Sequence, residues 1–514
     1  MKYNKTENAK RNLTFGLILQ MLNVLLPYIQ RIVINIHLGT LYLGLSSLFT
    51  SILGMLSLAE LGFSSAMVFS MYKPIAENNI PKVREILAYY RKVYFVIGVV
   101  ISILGIIVTP FITYLIDGEY PSDVNIYIVY LILLANTSCS YFVFAYKNAL
   151  ISAFQRTDLR AKAESILITI RSVFQIAVII LFKNYYVYIA FGPVFTLATN
   201  VLISKLVDKH YPDYYPEGKL QPEEKNQIKD NVKSLFVYKI GTVIAGFADN
   251  VVISSFLGLV VLAQYNNYYT ILTALFSALQ ILYGSIMGGF GNSIASDTVS
   301  NNYKLFNKIF WVQSVVVGWM TTCLLVLFQP FITLSYGEKL KLPLGVVICI
   351  VLLFYCWKIN DINHIFKEAA GLWKYDRFRP FCAAIINFSI NIISVRYIGL
   401  YGVVLSSLII EVTISLFWGC RIIYKYYFKE KFSNYLKQYL LYGFINAFIC
   451  ASSYIISSIV TGNALFVLIV RAAICIVIPM VLYFAIYNLI GKKEYIQFLY
   501  TRIVPKRFLN RKGE

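Results

Sequence analysis

Charge is what this chain has least of. Charged residues make up 14% of its 514 positions, with 25 acids and three histidines, while 58% of residues are hydrophobic. A water-soluble fold of this length needs far more surface charge, so a soluble globular enzyme is excluded. Cysteine pairs are missing too. The eight cysteines lie singly inside apolar runs with no CxxC spacing, which argues against a zinc site or a disulfide framework and reads as buried small hydrophobes. No GxxxxGK[ST] motif occurs, so no P-loop nucleotide site is expected.

What remains is a series of long apolar runs. They predict an all-α integral membrane protein with about fourteen spans, at 13–36, 41–70, 93–116, 124–149, 165–182, 185–206, 234–257, 261–290, 308–335, 342–365, 381–396, 399–420, 440–460 and 464–490. The first run is longer than a signal-peptide core, follows the polar stretch "MKYNKTENAKRN" and has no small-residue cleavage site, so it reads as a retained span.

The formal charge of +21 suggests nucleic acid until the positions are read. With the N-terminus inside, 36 of the 46 Lys and Arg fall in inner segments. Lys183, Lys339, Lys341 and Arg396 fall outside, and Arg31, Lys147, Arg171, Lys239, Lys358 and Arg471 lie within spans. That bias orients helices in a bilayer with both termini cytoplasmic, and no nucleic-acid partner is expected. The outer loops are short; "DGEYPSD" (117–123) is among the longest. A polymerase or multispan glycosyltransferase, which usually needs a sizeable outer loop, is disfavoured.

The sequence also repeats. At an offset of 219, "RIVINIHLGTLYL" (31–43) falls on "NVVISSFLGLVVL" (250–262), with Gly39 on Gly258. At 220, "PFIT" (110–113) falls on "PFIT" (330–333), and at 218 "FQRTDLRAK" (154–162) falls on "LWKYDRFRP" (372–380), with Asp158 on Asp376. Six spans per copy give two six-helix lobes of like orientation, related by a pseudo-two-fold along the membrane normal, with a site expected between them. The expected division is 1–207 and 234–430 for the lobes, a charged, Pro-bearing linker at 208–233 that reads as a hinge, and two additional helices with a basic tail at 431–514.

The segment 38–79 carries a resemblance. Gly44-Leu45 early in the second span, Glu60-Leu61-Gly62 late in it, and the basic turn "KPIAENNIPKVREI" (73–86) resemble the bacterial polysaccharide-transport family of Wzx-type lipid-linked oligosaccharide flippases, within the multidrug/oligosaccharidyl-lipid/polysaccharide exporter superfamily. The resemblance covers about residues 10–430. It implies a V-shaped, MATE- and MurJ-like fold that alternates between inward-open and outward-open states in the bacterial inner membrane. The implied substrate is an undecaprenyl-diphosphate-linked oligosaccharide for capsule, O-antigen or exopolysaccharide, with membrane lipids, a polysaccharide polymerase and other assembly proteins as partners. A drug exporter of the same superfamily is the alternative.

A diphosphate crossing about 30 Å of hydrocarbon needs cationic side chains in place of its water. The intramembrane candidates are Arg31, Arg171, Lys239 and Lys358. Arg31 reads equally as one half of a salt bridge to Glu60 or Asp249. Arg171 and Lys239 read also as interfacial residues, and Lys358 as self-paired with Asp361. Lys147 is expected to snorkel, and Arg471 to be structural or to line a lipid-tail groove. No cofactor is expected. Glu60, Asp249, Asn250 and Glu411 are the polar and ion-coupling candidates, since a carboxylate in a span can carry a proton or help ligate sodium; Asp249 with Asn387 or Asn391 and with Thr413 would supply hard oxygens. Tyr265, Asn266 and Asn267 in "YNNYY" are the sugar-contact candidates, although most of the 41 tyrosines suit interface belts.

Overall fold

The computed structural model describes residues 5–60 and 62–491, and every regular element among them is helical. The chain order is α1 (Lys5–His37), α2 (Thr40–Leu56), α3 (Phe63–Ala76), α4 (Ile80–Val108), α5 (Ile126–Phe142), α6 (Lys147–Ala153), α7 (Thr157–Phe182), α8 (Tyr185–His210), α9 (Pro222–Ser296), α10 (Val299–Tyr336), α11 (Leu344–Ala369), α12 (Trp373–Asp376), α13 (Arg379–Ile398), α14 (Leu400–Ile410), α15 (Arg421–Ile423), α16 (Phe432–Ser458) and α17 (Ala464–Leu489). Two π-wound stretches, Glu411–Cys420 and Tyr424–Phe428, flank α15. Asparagine starts many of these helices. Asn79, Asn125, Asn184 and Asn463 each accept a hydrogen bond from a first-turn backbone N–H, satisfying donors that a helix leaves open.

Among the described residues eleven helices are long and apolar enough to cross a membrane, or twelve when the bent pair α5 and α6 counts as one span. The expected fourteen differ at two places. Span two is split into α2 and α3 by a tight turn and by Gly62 at φ 88. Spans seven and eight run as one 41-residue apolar stretch, Ile240–Gln280, through Gly258. The repeat explains that break. Gly258 has φ 81 and ψ 174, and its counterpart Gly39, between α1 and α2, has φ 104 and ψ 173. Both lie in a region that a side chain disfavours, which is why glycine stands at each.

By its contacts the chain divides into two compact units, Met1–Asn266 with Pro380–Gly399, and Asn267–Arg379 with Leu400–Glu514. In the first, the segment read as a hinge is short. Helix α8 continues to His210 and α9 begins at Pro222. The chain between them is fastened to the start of α4: Arg84 donates to the Asp213 carbonyl at 2.7 Å, pairs with Glu217 at 3.1 Å and stacks on Tyr215 at 3.7 Å. Lys82 pairs with Glu224 and holds that carboxyl below the usual carboxylate range. In the second unit, Phe306, Phe310, Tyr424 and Tyr435 form a buried aromatic core. The two additional helices are keyed into this unit. Asn446 of α16 donates to the Ser314 carbonyl at 3.1 Å, and Trp319 of α10 donates to the Cys475 carbonyl of α17 at 2.8 Å.

The repeat also places a buried aspartate at matching positions. Asp158 accepts from Arg156 at 2.8 Å and lies 3.5 Å from Lys162. Asp376 accepts from Arg379 at 2.7 Å and pairs with Lys367. Both carboxylates are fully buried. Removing Asp376 strands two cations that are themselves buried. Asp376→Ala is therefore expected to cost about 3–5 kcal/mol, read as a lowered unfolding midpoint of the purified protein in detergent; an unchanged midpoint would mean that the triad carries no stability.

Candidate functional site

Within the first unit, α1, α3 and α4 to α8 enclose a polar chamber of about 390 Å³. Its acid is Glu60. The turn Ser57–Glu60 and the left-handed Gly62 interrupt the second span there and set Glu60 where the hydroxyls of Tyr94 on α4 and Tyr141 on α5 donate to it, the latter at 2.8 Å. Across the lining stand Arg160 and Glu164 of α7, paired at 2.7 Å. Arg171, two turns further along α7, completes the wall. Its Nε is buried and has no hydrogen-bond partner among the described residues, and the same holds for Oδ1 of Asn148. The chamber thus brings together two sequence candidates, Glu60 and Arg171, that are 111 positions apart. Tyr94 and Tyr141 were hidden in the sequence by the general abundance of tyrosine. The one available signal was Tyr90 and Tyr94 at helical spacing on α4.

A second polar line runs along α2. Arg31 of α1 donates to Ser47 at 3.3 Å. One turn on, Ser51 accepts from Asn250 of α9 at 2.8 Å, and Asn266 donates to Asn250 at 3.1 Å. Asp249 accepts from Asn391 and Asn387 of α13 at 2.6 and 3.4 Å. Both amides turn their nitrogens, not their oxygens, to the carboxylate, so they meet Asp249 as donors. Thr413 instead donates to the Ile409 carbonyl of its own helix. The backbones here are close. A side chain at Gly44 would overlap the Leu259 carbonyl, and one at Gly258 would meet the Asp117 carbonyl oxygen at 2.7 Å.

The other candidates are scattered. In the second unit Lys358 pairs with Asp361 at 2.9 Å and lies 4.3 Å over the Phe276 ring, the self-paired arrangement. Glu411 is buried and accepts from Asn360 at 2.9 Å. Tyr265 and Asn267 are buried at 4% and 0% exposure, while Asn266 is engaged with Asn250. Lys239 lies on α9 with its side chain outside the described residues. Lys147, expected to snorkel, has an acid partner. It is buried and paired with Asp208 at 2.6 Å, because a partner two helices away in sequence is within reach once α6 and α8 pack. Arg471 donates to the Val460 carbonyl at 3.3 Å.

Residues 9–287 match a family described as polysaccharide biosynthesis protein. Three solved structures share the fold. The lipid II flippase MurJ, in an inward closed conformation, is 15% identical, with 93% of this chain and 99% of that chain covered at a TM-score of 0.67. An inward-facing multidrug resistance MATE family transporter of the MOP superfamily is 14% identical, with 78% and 94% covered at 0.61. The Vibrio cholerae MATE transporter VcmN is 12% identical, with 82% and 97% covered at 0.55. Comparison with curated proteins returns no match. More than half of the chain lies in the family match, and its apolar helices cross a membrane many times; the chain belongs to the polysaccharide biosynthesis protein family and is a multi-pass membrane protein with the helical fold of MurJ and the MATE transporters.

Proposed function

We propose that this protein is a flippase. It moves an undecaprenyl-diphosphate-linked oligosaccharide repeat unit from the inner to the outer leaflet of the bacterial cytoplasmic membrane, for surface polysaccharide assembly, by alternating access and with both termini cytoplasmic. The observation that supports this most is Arg171: a guanidinium with an unmet, buried donor faces a polar chamber inside a membrane-spanning bundle. An unmet donor on a charged group is costly unless a ligand or water completes it. A phosphate oxygen is the acceptor that a guanidinium matches best. Arg31, beside the second polar line, serves the same anion. Asp249 offers carboxylate oxygens for a sodium ion, and Glu60 a carboxylate for a proton, so either gradient can drive the cycle.

Export of a small cationic compound is the second reading. It is favoured by Glu60 standing in the chamber with Tyr90, Tyr94 and Tyr141, a grouping that suits a cation. The two readings part on single substitutions. As a flippase, Arg171→Ala lowers translocation of the lipid diphosphate in vesicles by at least about tenfold, the scale of a lost charge-assisted hydrogen bond, and leaves drug susceptibility unchanged. As a drug exporter, Glu60→Gln sensitises cells to cationic compounds while Arg171→Ala is silent. Full translocation by Arg171→Ala removes the support for the flippase reading.

A further inference from the structure

Away from the chamber, the second unit carries a surface pocket of about 420 Å³ at the basic end of the apolar stretch Leu400–Phe428. The helix, π-wound on either side of α15, presents residues in pairs every four positions: Phe417 and Trp418, Arg421 and Ile422, Lys425 and Tyr426. Tyr375 of α12 closes the other side and stacks on Tyr426, with centroids 4.2 Å apart and planes 10° apart. Lys425 lies 5.0 Å over Tyr426, and Lys374 lies 5.0 Å over Tyr375.

Three features define what fits. The lining holds two cations and no acid. Among the described residues neither Arg421 nor Lys425 has an ion-pair partner, and the carboxylate beside Tyr375, that of Asp376, is buried and taken by Lys367 and Arg379. The rim is aromatic and open, with Phe417 at 51% and Trp418 at 41% exposure. Exposed tryptophan and tyrosine at the end of a span sit at the headgroup level of a bilayer, where basic residues attract anionic lipid. A soluble anion would use the cations and leave the apolar rim without a purpose.

We infer that this pocket binds an anionic phospholipid, with its phosphate between Arg421 and Lys425 and the glycerol end of its chains against Phe417, Ile422 and Trp418. It is distinct from the chamber of the first unit and does not depend on which substrate the protein transports.

Trp418 supplies the reporter. The full chain is reconstituted in phosphatidylcholine vesicles containing brominated phosphatidylglycerol or, as control, brominated phosphatidylcholine, and tryptophan quenching is titrated at low salt. Phosphatidylglycerol is expected to quench more strongly, and Trp418→Phe to remove the difference. The double variant R421Q/K425Q is expected to weaken phosphatidylglycerol binding roughly 30-fold, at about fivefold per cation. Its size-exclusion profile and unfolding midpoint check folding; K425Q alone, expected near fivefold, serves if the pair does not fold. Equal quenching by the two lipids, or an unchanged phosphatidylglycerol affinity in a folded variant, overturns the inference. So does loss of the quenching difference on adding inorganic phosphate at the same concentration, since that would identify a soluble-anion site.

Discussion

Cells in which Arg31 is replaced by alanine are expected to lose surface polysaccharide while the protein remains in the membrane at its normal level. Arg31 lies within the first apolar span, where a cation is costly and is kept for a reason. Its guanidinium reaches Ser47 on α2, one turn from Ser51, which holds Asn250. It therefore sits on the polar line that joins the first helix of one repeat to the first helix of the other. If it contacts the diphosphate, its loss removes charge-assisted hydrogen bonds worth about 1.5–3 kcal/mol, or roughly 10- to 150-fold in translocation rate. Arg31→Lys keeps the charge without the planar fork and is expected to retain part of the activity. Immunoblot of membranes beside surface-polysaccharide staining reads both variants. Normal polysaccharide in the alanine strain would take Arg31 out of the mechanism.

Gly44→Ala is expected to be nearly as damaging, through the fold rather than the substrate. A methyl group there would overlap the Leu259 carbonyl oxygen and lie 2.7 Å from its carbonyl carbon. Both are backbone atoms of α9, so no side chain can swing aside and the two helices must part. Overpacking ordinarily costs about 1–3 kcal/mol and more where the backbone must shift. Gly54 on the same helix makes the control. The atoms nearest a methyl group at 54 belong to the ring of Phe247, which can rotate away, so Gly54→Ala is expected to be milder. Unfolding midpoints of the two purified variants in detergent decide the matter. A Gly44→Ala midpoint equal to that of the unsubstituted protein would show that the helices are not held this close.

Gly44 also marks how far the sequence could be read. It was visible as a motif residue, but its reason, the backbone of Leu259, lies 215 positions away. Other features were legible with their cause. The paired glycines 39 and 258 showed as a repeat, and each turned out to occupy a conformation that asks for glycine. Asp158 and Asp376 showed as a repeat, and each proved to be a buried carboxylate held by two cations. The ion pair of Lys147 was not legible, because nothing near it in sequence announces Asp208.

Apolar run length and the placement of basic residues determined by themselves that this is a helical membrane protein that crosses the bilayer many times. Those properties follow from the bilayer, which acts on each segment separately and so writes its demands locally. The chamber, the tyrosine grip on Glu60, the unmet donor of Arg171 and the assembly of Asp249 with Asn387 and Asn391 were decided only by tertiary structure. Each joins side chains from helices far apart in the chain, and a hydrogen bond of about 3 Å is specified by packing angles that no single helix contains.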